Sequence, residues 1–499
     1  MTDVLLTHSY HLPYDPKQVR KMQPYPPLGT LYAASALRAR GMSVAIFDSM
    51  LVDPAEHFTA ALERHRPRIV AVYEDDFNFL SKMCLTRMRR VAWEIADAAN
   101  SIGVTVISHG SDAADNAALF LDHGFDYVLR GEAEETLAQV CSAVLRCEPV
   151  REVDGLVRRD ASGLHTFSAI AKAKNSQWHD LPAPSRDLID LEPYREAWTK
   201  AHGYFSTNMV SSRGCPFHCN WCAKPISGNK FHLRSAVSVA DEMKWLKVNA
   251  GVQHIWFADD VFALNAGWMQ QFAMEVQARG AAVPFKIQSR ADLMSEETVQ
   301  ALRIAGCTEI WMGIESGSQA VLDAMDKGLK LASVYTARER MSRAGIRACY
   351  FLQFGYPGET WDDLQKTITL VRETKPDDIG ISFSYPLPGT VFYDRVQAEL
   401  GWKRNWAHSD DLCIMFRASH TTDFYQLVRE ALHAEVDSWQ CPADDGSVTT
   451  RVQALWQRVN ALEPISRNPD VLAYPMSGPT RAAKSALVSI SERVPAAEA

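Results

Sequence analysis

The sequence predicts an α/β protein in which a doubly wound, Rossmann-like parallel sheet precedes a partial barrel of parallel strands. Short β-branched runs alternate with helical patterns through residue 147, and the alternation resumes at Phe205. A loop rich in cysteine follows the first strand of the second series, at the strand end where barrel proteins carry their functional groups. These observations indicate two α/β domains with a site on the second.

The first series contains five strand-like runs. The segment PPLGTLYAASALRARG between the first two has helix start signals in its prolines and a stop signal at Gly41. We therefore expect residues 1–149 to form one doubly wound domain, with its ligand crevice beyond the carboxyl ends of the strands. The five runs are DVLLT, SVAIFD, RIVAVYE, VTVISHG and FDYVLRGE.

The segment between the two series has a different residue pattern. Residues 150–204 contain two short strands around an Asp-Ala-Ser-Gly turn and a Pro-rich stretch, and are predicted to connect the domains. Six strand–helix units in residues 205–400 predict a (β/α)6 partial barrel. Amphipathic patterns predict a helical carboxyl-terminal region at 401–475, and small residues of mixed charge predict a disordered tail at 476–499.

Composition narrows the class of protein. A 499-residue chain with 47% hydrophobic residues can bury large cores, and its formal net charge of −8 argues against a nucleic-acid partner. No apolar run approaches the roughly 18 residues of a membrane span, and the amino terminus lacks the pattern of a signal peptide. We therefore expect a cytoplasmic protein with no membrane span.

Three cysteines lie within eight residues of SSRGCPFHCNWCAKP, at Cys215, Cys219 and Cys222. A structural zinc site is one interpretation, but such sites take four ligands, usually in paired groups, and His218 is the only other ligand type inside the loop. Three thiolates also suit a 4Fe-4S cluster with one iron left open, because such clusters otherwise take four cysteines. The other seven cysteines are isolated and are predicted to be buried thiols.

The spacing Cys-x3-Cys-x2-Cys, with the aromatic Trp221 before the last cysteine, resembles the signature of the radical SAM superfamily. That resemblance implies that Cys215, Cys219 and Cys222 bind the 4Fe-4S cluster and that the open iron binds S-adenosylmethionine. It also implies that one electron cleaves S-adenosylmethionine to methionine and a 5'-deoxyadenosyl radical, which takes a hydrogen atom from substrate.

Further segments resemble the superfamily in order along the chain. WFADDVFALN implies that Asp259, with Asp260 beside it, helps to hold the methionine amino group, and QSRADL implies that Arg290 pairs with the methionine carboxylate. GIESGSQAV implies that Glu315 and Ser316 lie near the ribose or the carboxylate. Each also has a simpler interpretation: the acidic and hydroxyl residues suit helix starts, and Arg290 suits a surface ion pair.

Two later segments, FLQFGYPGET and SFSYPLPGT, resemble the parts of the barrel that pass the adenine and the substrate. Gly355 and Gly358 suit a sharp turn at the edge of a site. Glu359 is interpreted as a helix-start residue, and the sequence assigns no catalytic residue.

The amino-terminal domain resembles the cobalamin-binding domain that precedes the barrel in one large radical SAM subfamily. The chain departs from the Asp-x-His-x-x-Gly motif of other cobalamin enzymes, since Asp122 and His123 are adjacent and His8, His11 and His109 lack that spacing. The resemblance thus implies cobalamin as a further cofactor without naming its lower ligand. The carboxylates of GEAEETL suit the positive end of a helix dipole.

The resemblance implies cobalamin-dependent methylation of an unactivated carbon in a small-molecule substrate, with a reducing partner such as flavodoxin or ferredoxin. Radical oxidation or cyclisation without methyl transfer, as in the anaerobic magnesium-protoporphyrin ester cyclases, stays open. An iron–sulfur electron carrier or zinc-stapled binding module is the alternative from another class, and transfer-RNA modification is disfavoured because no basic domain is visible. The sequence does not identify the substrate.

Overall fold

The computed structural model describes residues 2–78, 85–160, 162–169, 183–222, 230–400, 407, 413–440 and 446–469. Two sheets dominate it, one of seven strands and one of six, and a two-stranded ribbon joins the second sheet. The predicted α/β class, with a Rossmann-like domain before a parallel barrel, is confirmed. The tail predicted at 476–499 lies outside the described residues.

The amino-terminal sheet has the strand order β2-β1-β3-β4-β5-β6-β7. Strands β1 to β5 are parallel, whereas β6 and β7 add an antiparallel hairpin at one edge. The hairpin turn is held by the Asp160 carboxylate, which accepts from the Ser162 and Leu164 amides. The strands are β1 Val4–Thr7, β2 Val44–Phe47, β3 Ile69–Tyr73, β4 Thr105–His109, β5 Tyr127–Leu129, β6 Leu156–Arg159 and β7 His165–Phe167.

Helices cover both faces of this sheet. The second begins after two prolines and is buried along most of its length, as its sequence pattern predicts. The fourth carries the apolar stripe of Met88, Val91 and Ile95 against the sheet. The helices are α1 Pro16–Lys21, α2 Leu28–Ala39, α3 Pro54–His65, α4 Thr86–Ser101, α5 Ser111–Asp115, α6 Ala117–Asp122 and α7 Glu134–Leu145.

The second domain holds a parallel six-stranded sheet in the order β15-β14-β13-β12-β11-β8. Residues alternate along each strand between a face buried against helices and a face turned to the barrel interior, as β12 shows with buried Phe285 and Ile287. The strands are β8 Ser206–Met209, β11 His254–Phe257, β12 Phe285–Ser289, β13 Cys307–Glu315, β14 Arg347–Phe354 and β15 Asp378–Phe383; β9 Ser212–Arg213 and β10 His232–Leu233 form the ribbon.

The helices of this domain alternate with its strands, and two more follow the barrel. Ser235, Asn265, Ser295 and Thr360 cap four of them by accepting a bond from a first-turn amide. The helices are α8 Glu192–His202, α9 Ala236–Asn249, α10 Ala266–Arg279, α11 Glu296–Ala305, α12 Gln319–Ala324, α13 Leu331–Ala344, α14 Trp361–Thr374, α15 Val391–Val396, α16 Thr422–Ser438 and α17 Ser447–Leu462.

The six-stranded sheet does not close on itself, and residues of the amino-terminal domain cover part of its open side beside β8. The Asn208 amide on β8 donates to the Pro26 carbonyl at 2.9 Å, and the Trp198 indole donates to the Pro24 carbonyl at 2.6 Å. Tyr25 between them is buried in the barrel core and packs on Trp256 with ring centroids 4.8 Å apart. Two segments far apart in sequence thus build one wall.

Helix α16 packs on β15 and brings Phe424, Tyr425 and Val428 into the same core. Three of the isolated cysteines, Cys141, Cys307 and Cys349, are buried as predicted, whereas Cys147 is exposed and Cys413 is half-buried. Cys84 and Cys441 lie outside the described residues. Within the described part of the chain, no helix is both long enough and apolar enough to cross a membrane.

Candidate iron–sulfur and cofactor site

The three clustered cysteines lie on the loop that leaves β8 at the carboxyl end of the barrel, and all three are part-exposed. Asn220, between the second and third, fixes this loop. Its side-chain amide donates to the Ala324 carbonyl at 2.7 Å and to Asp326 at 2.9 Å, and its carbonyl oxygen accepts from the Tyr356 hydroxyl. The loop is therefore anchored to the segment after α12 and to the end of β14.

The number of these thiols bears on which metal centre the loop can hold. In the described ranges, no three His, Cys, Asp or Glu side chains converge as ligands of one ion. A single zinc ion needs its ligands gathered around one point, whereas in a 4Fe-4S cluster each thiolate binds a different iron. Three thiolates on one loop fit a 4Fe-4S cluster in which each binds its own iron and the fourth iron is left open.

A lysine that the sequence analysis did not single out lies beside this loop. Burial lowers the pKa of Lys327, but the charges of Glu315 and Cys219 outweigh burial and raise it. Lys327 is therefore a buried cation that lies beside Glu315 and the cysteine loop. The donor set and its electrostatics fit a bound iron–sulfur cluster.

Glu315 ends β13 in a conformation that non-glycine residues seldom adopt, with φ of 65°. Its carboxylate accepts from Lys327 Nζ at 2.8 Å, and both side chains are almost fully buried. A side chain at Gly313 would collide with this pair, since a Cβ there would lie 2.7 Å from the carboxylate and 2.8 Å from the ammonium. The strand end is thus shaped around a buried ion pair.

Ser316 follows directly and is fully buried. Its hydroxyl lies 3.2 Å from the Thr367 hydroxyl on α14 and accepts from the Ser318 amide at 3.1 Å. The hydroxyl therefore helps to fix the turn after β13, which holds Glu315 in place.

Asp259, two residues beyond β11, is buried and faces the start of the cysteine loop. Its carboxylate accepts from the Ser211 amide at 3.0 Å and from the hydroxyls of Ser211 and Ser212. Burial raises the pKa of Asp259 to about 6, although these donors oppose the rise. Asp260, next to it, is exposed. Asp259 therefore orients the backbone that leads to Cys215.

Arg290, at the end of β12, reaches the same loop from the opposite side. Its guanidinium lies over the Phe217 ring at 3.8 Å and makes two bonds of 2.9 Å to the Asp292 carboxylate. The Arg290 side chain is only 5% exposed, so it is not a surface ion pair. Arg290 is placed between the cysteine loop and the turn after β12.

Trp221 is part-exposed and packs against the barrel core. Its indole N–H is buried and has no hydrogen-bond partner among the described residues. A buried donor without a partner costs free energy, and it indicates that a polar group of a bound molecule completes this position.

The two domains meet at the cysteine loop through another buried ion pair. Arg213, two residues before Cys215, donates to Glu134 at 2.6 Å, and the two side chains are 4% and 7% exposed. The predicted helix start of GEAEETL is confirmed, because Glu134 opens α7. Glu134 also has a role that the sequence pattern did not predict, because its carboxylate binds Arg213 on the loop of the other domain. Leu28, Tyr32, Phe77, Val210 and Ala258 pack around this junction.

The carboxyl edge of the amino-terminal sheet faces this junction and holds buried polar atoms whose bonding is incomplete. The Tyr73 hydroxyl, the second carboxylate oxygen of Glu74 and Nδ1 of His109 have no hydrogen-bond partner within the described residues. Burial raises the pKa of Glu74 and lowers that of His109. Such atoms fit a ligand with a polar rim, and the amide-fringed corrin of cobalamin has one.

The histidines near this edge are mostly occupied. His8 lies 2.9 Å from the Asp48 carboxylate through Nε2 and 3.1 Å from the Ser49 hydroxyl through Nδ1. Nδ1 of His11 lies 2.7 Å from the Ser49 carbonyl, and Nε2 of His109 lies 3.0 Å from the Gly131 carbonyl. The structure therefore designates none of the three as a lower ligand of cobalamin.

Three residues that matter to the site were not singled out from sequence: Lys327, Asn220 and Arg213. The available signal was weak, namely a polar residue inside the cysteine motif and basic residues on either side of the motif segments. Their partners lie up to 136 residues away, so only the tertiary structure reveals the pairs.

A cysteine loop at the carboxyl end of a parallel partial barrel, facing the crevice of a Rossmann-like domain, defines an iron–sulfur enzyme with a second cofactor domain. A model of the radical SAM superfamily matches residues 209–371, and a model of the B12 binding domain matches residues 22–141. The chain therefore carries a radical SAM domain and, before it, a B12-binding domain.

Three relatives by sequence match between about half and nine tenths of this chain. An uncharacterized methyltransferase of Pyrococcus horikoshii is 25% identical over 81% of this chain and 86% of its own. The hopanoid C-3 methylase of Methylococcus capsulatus is 21% identical over 91% and 87%. The anaerobic magnesium-protoporphyrin IX monomethyl ester cyclase of a Synechocystis species is 28% identical over 54% and 53%.

Solved structures with this fold include two cobalamin-dependent enzymes. OxsB, with aqua-cobalamin and S-adenosylmethionine bound, superposes with a TM-score of 0.69 at 16% identity over 93% of this chain and 72% of its own. TsrM of Kitasatospora setae, with cobalamin and a 4Fe-4S cluster bound, superposes with a TM-score of 0.64 at 18% identity over 80% and 75%. At these identities the likeness confirms the fold.

Proposed function

We propose that this protein is a cobalamin-dependent radical SAM methyltransferase that methylates an unactivated carbon of a small molecule. The observation that carries the proposal is the Arg213–Glu134 pair, which joins the cysteine loop to the domain matched by the B12-binding model. The methyltransferase relatives support the reaction type. When bound, the three cofactors supply the electron, the radical and the methyl group.

The cysteine loop is proposed to hold the 4Fe-4S cluster. Cys215, Cys219 and Cys222 would each bind one iron, and Lys327 places a positive charge beside the loop that carries them. Asn220 anchors the loop to the segment after α12 and to the end of β14, and Asp259 fixes the start of the loop. Asn220 and Asp259 act by positioning the loop, because a radical reaction is controlled by where the reacting atoms are held.

Five predicted residues are proposed to surround S-adenosylmethionine: Trp221, Asp259, Arg290, Glu315 and Ser316. The Trp221 indole offers an unused donor, and Arg290 and Lys327 supply positive charge for the methionine carboxylate. Glu315 supplies a carboxylate for the amino group. Asp259 acts through the serines it binds, since these donors converge on its carboxylate.

The partners follow from this chemistry. The substrate is a small molecule that enters the barrel, and the single electron comes from a protein such as flavodoxin or ferredoxin in the cytoplasm. The carboxyl edge of the amino-terminal sheet, with its incompletely bonded atoms at Tyr73, Glu74 and His109, is proposed to hold cobalamin.

The test uses the full chain reconstituted anaerobically with iron, sulfide and hydroxocobalamin, then desalted. Near-stoichiometric cobalamin retention is expected, and incubation with S-adenosylmethionine and a low-potential reductant should yield both 5'-deoxyadenosine and S-adenosylhomocysteine. Cys219→Ala should lose iron and 5'-deoxyadenosine together. Cys147→Ala, which removes an exposed thiol of the other domain, is the matched control.

The products decide between the alternatives. 5'-Deoxyadenosine without S-adenosylhomocysteine or retained cobalamin would favour radical oxidation or cyclisation and contradict methyl transfer. Radical cleavage that survives in Cys219→Ala would contradict the radical SAM assignment of this loop.

A further inference from the structure

The barrel interior is lined by aromatic side chains that are only part-buried. Trp256 on β11, Trp311 on β13 and Phe351 on β14 all alternate with fully buried neighbours that face the helices. Trp311 and Phe351 stack with ring centroids 4.8 Å apart. Gly380 on β15 makes room for them, because a Cβ there would lie 3.2 Å from Phe351 and 3.3 Å from Trp311. The interior therefore has flat apolar walls with accessible surface.

A lysine lies at the amino-terminal end of this interior. Lys286 pairs in register with Trp256 on one side and Glu309 on the other, so its side chain faces the interior. The Glu309 carboxylate is already taken, since it accepts from Arg347 at 2.6 Å and from the Trp311 indole at 2.7 Å. Within the described residues, no carboxylate forms an ion pair with Lys286.

Two phenols accompany this ammonium group. Tyr25, from the amino-terminal domain, places its ring 5.8 Å from Lys286 Nζ, and its buried hydroxyl acts on the same ammonium group as a hydrogen-bond partner. Tyr204 is close enough for the lysine charge to oppose the rise in its pKa that burial causes. Three hydrogen-bond donors thus lie together at the amino-terminal end of the barrel interior, beside its aromatic side chains.

The ammonium group is charged. Burial lowers the pKa of Lys286, but Tyr25 and Glu309 outweigh burial and raise it. The neighbouring His254 is neutral, because burial and the lysine charge lower its pKa to about 3. Lys286 is part-exposed and forms no ion pair among the described residues, so its charge can accept an anionic group from a bound molecule.

We propose that Lys286, Tyr25 and Tyr204 form an anion-binding subsite that takes a carboxylate of the substrate, while Trp256, Trp311 and Phe351 hold its apolar body. This deepens the proposed function by naming the substrate class, an elongated amphiphilic acid. Lys286 lies four residues below Arg290 on β12, and a parallel strand rises about 3.3 Å per residue. The anionic group thus sits about 13 Å below the level of Arg290, and the reacting carbon lies at the other end of the molecule.

The test measures binding of trans-parinaric acid, a fluorescent conjugated fatty acid, and of its uncharged methyl ester to the reconstituted full chain. The acid is expected to bind more tightly than the ester. Lys286→Met should weaken binding of the acid by about tenfold or more, because it removes a charged hydrogen bond, and should leave binding of the ester unchanged. Lys244→Met, an exposed lysine on α9, should change neither.

Equal affinity of acid and ester, failure of the acid to bind, or equal weakening of both ligands in Lys286→Met would overturn the subsite. Trp311→Ala should weaken both ligands, because it removes an apolar wall. Iron content and 5'-deoxyadenosine formation without substrate are measured on the same samples. If these persist while the acid shows no preference, the subsite fails and the radical SAM function stands.

Discussion

Lys327 Nζ lies 2.8 Å from the Glu315 carboxylate, and the two side chains are 7% and 6% exposed. This pair joins the end of β13 to the segment that also receives the Asn220 bonds. Because neither charge has access to bulk water, each depends on the other for its solvation. The pair is therefore both a structural link and the charged surface offered to a cofactor.

Removal of one member of this pair should be more damaging than removal of both. Lys327→Met leaves an uncompensated buried carboxylate and should lower the free energy of unfolding by about 3–5 kcal/mol. The double variant Glu315→Gln, Lys327→Met should recover much of this loss. Urea unfolding of the cluster-free protein measures both, and an unchanged stability in the single variant would contradict a buried pair.

The pair between Arg213 and Glu134 should control how firmly the cysteine loop is held. Glu134→Gln removes the negative charge that pairs with Arg213. Backbone amides 211–215 should therefore exchange hydrogen faster. Hydrogen exchange followed by mass spectrometry measures this. Glu135→Gln, the next residue on α7, is the matched control because Glu135 faces solvent and pairs with Arg40. Equal exchange in both variants would show that Arg213 is held by packing alone.

Glu359 should make stability depend on pH. Burial raises its pKa from 4.5 to about 8, so the folded state favours the protonated carboxyl and becomes less stable, relative to a neutral side chain, as pH rises through this window. The advantage of Glu359→Gln over the wild type should grow by about 1.4 kcal/mol per pH unit between these values.

Urea unfolding at several pH values measures this difference. Glu430→Gln, at an exposed position on α16, reports the effect of an ordinary surface change. A pH-independent difference for Glu359→Gln would contradict a raised pKa.

The pKa of Asp259 should depend on the serine groups that donate to its carboxylate. The Ser212 hydroxyl favours the ionised carboxylate, so Ser212→Ala should raise the Asp259 pKa above its value of about 6 and reduce the iron bound at neutral pH. Infrared difference spectra of the carboxyl band and iron assays measure the two effects. Normal iron with an unchanged titration would indicate that the Asp259–Ser212 contact is incidental.

Much of the architecture follows from local signals. The hydrophobic runs and glycine stops predicted the two series of strands and helices, because a buried parallel strand needs an apolar run and a helix needs a defined end. The cysteine spacing predicted the iron–sulfur loop. Each of these features is encoded within a few residues, so neighbouring sequence is sufficient to predict it.

The tertiary structure decided which residues contact one another across the two domains and across the strands. Lys327 faces Glu315, Glu134 faces Arg213, and Tyr25 crosses into the barrel of the other domain to meet Lys286. These contacts join residues 12, 79 and 261 positions apart, and no periodicity of a strand or helix specifies them. Which charge is paired, and which is left for a ligand, depends on the packing of the two domains, because a buried charge is set by its three-dimensional surroundings and not by its neighbours in sequence.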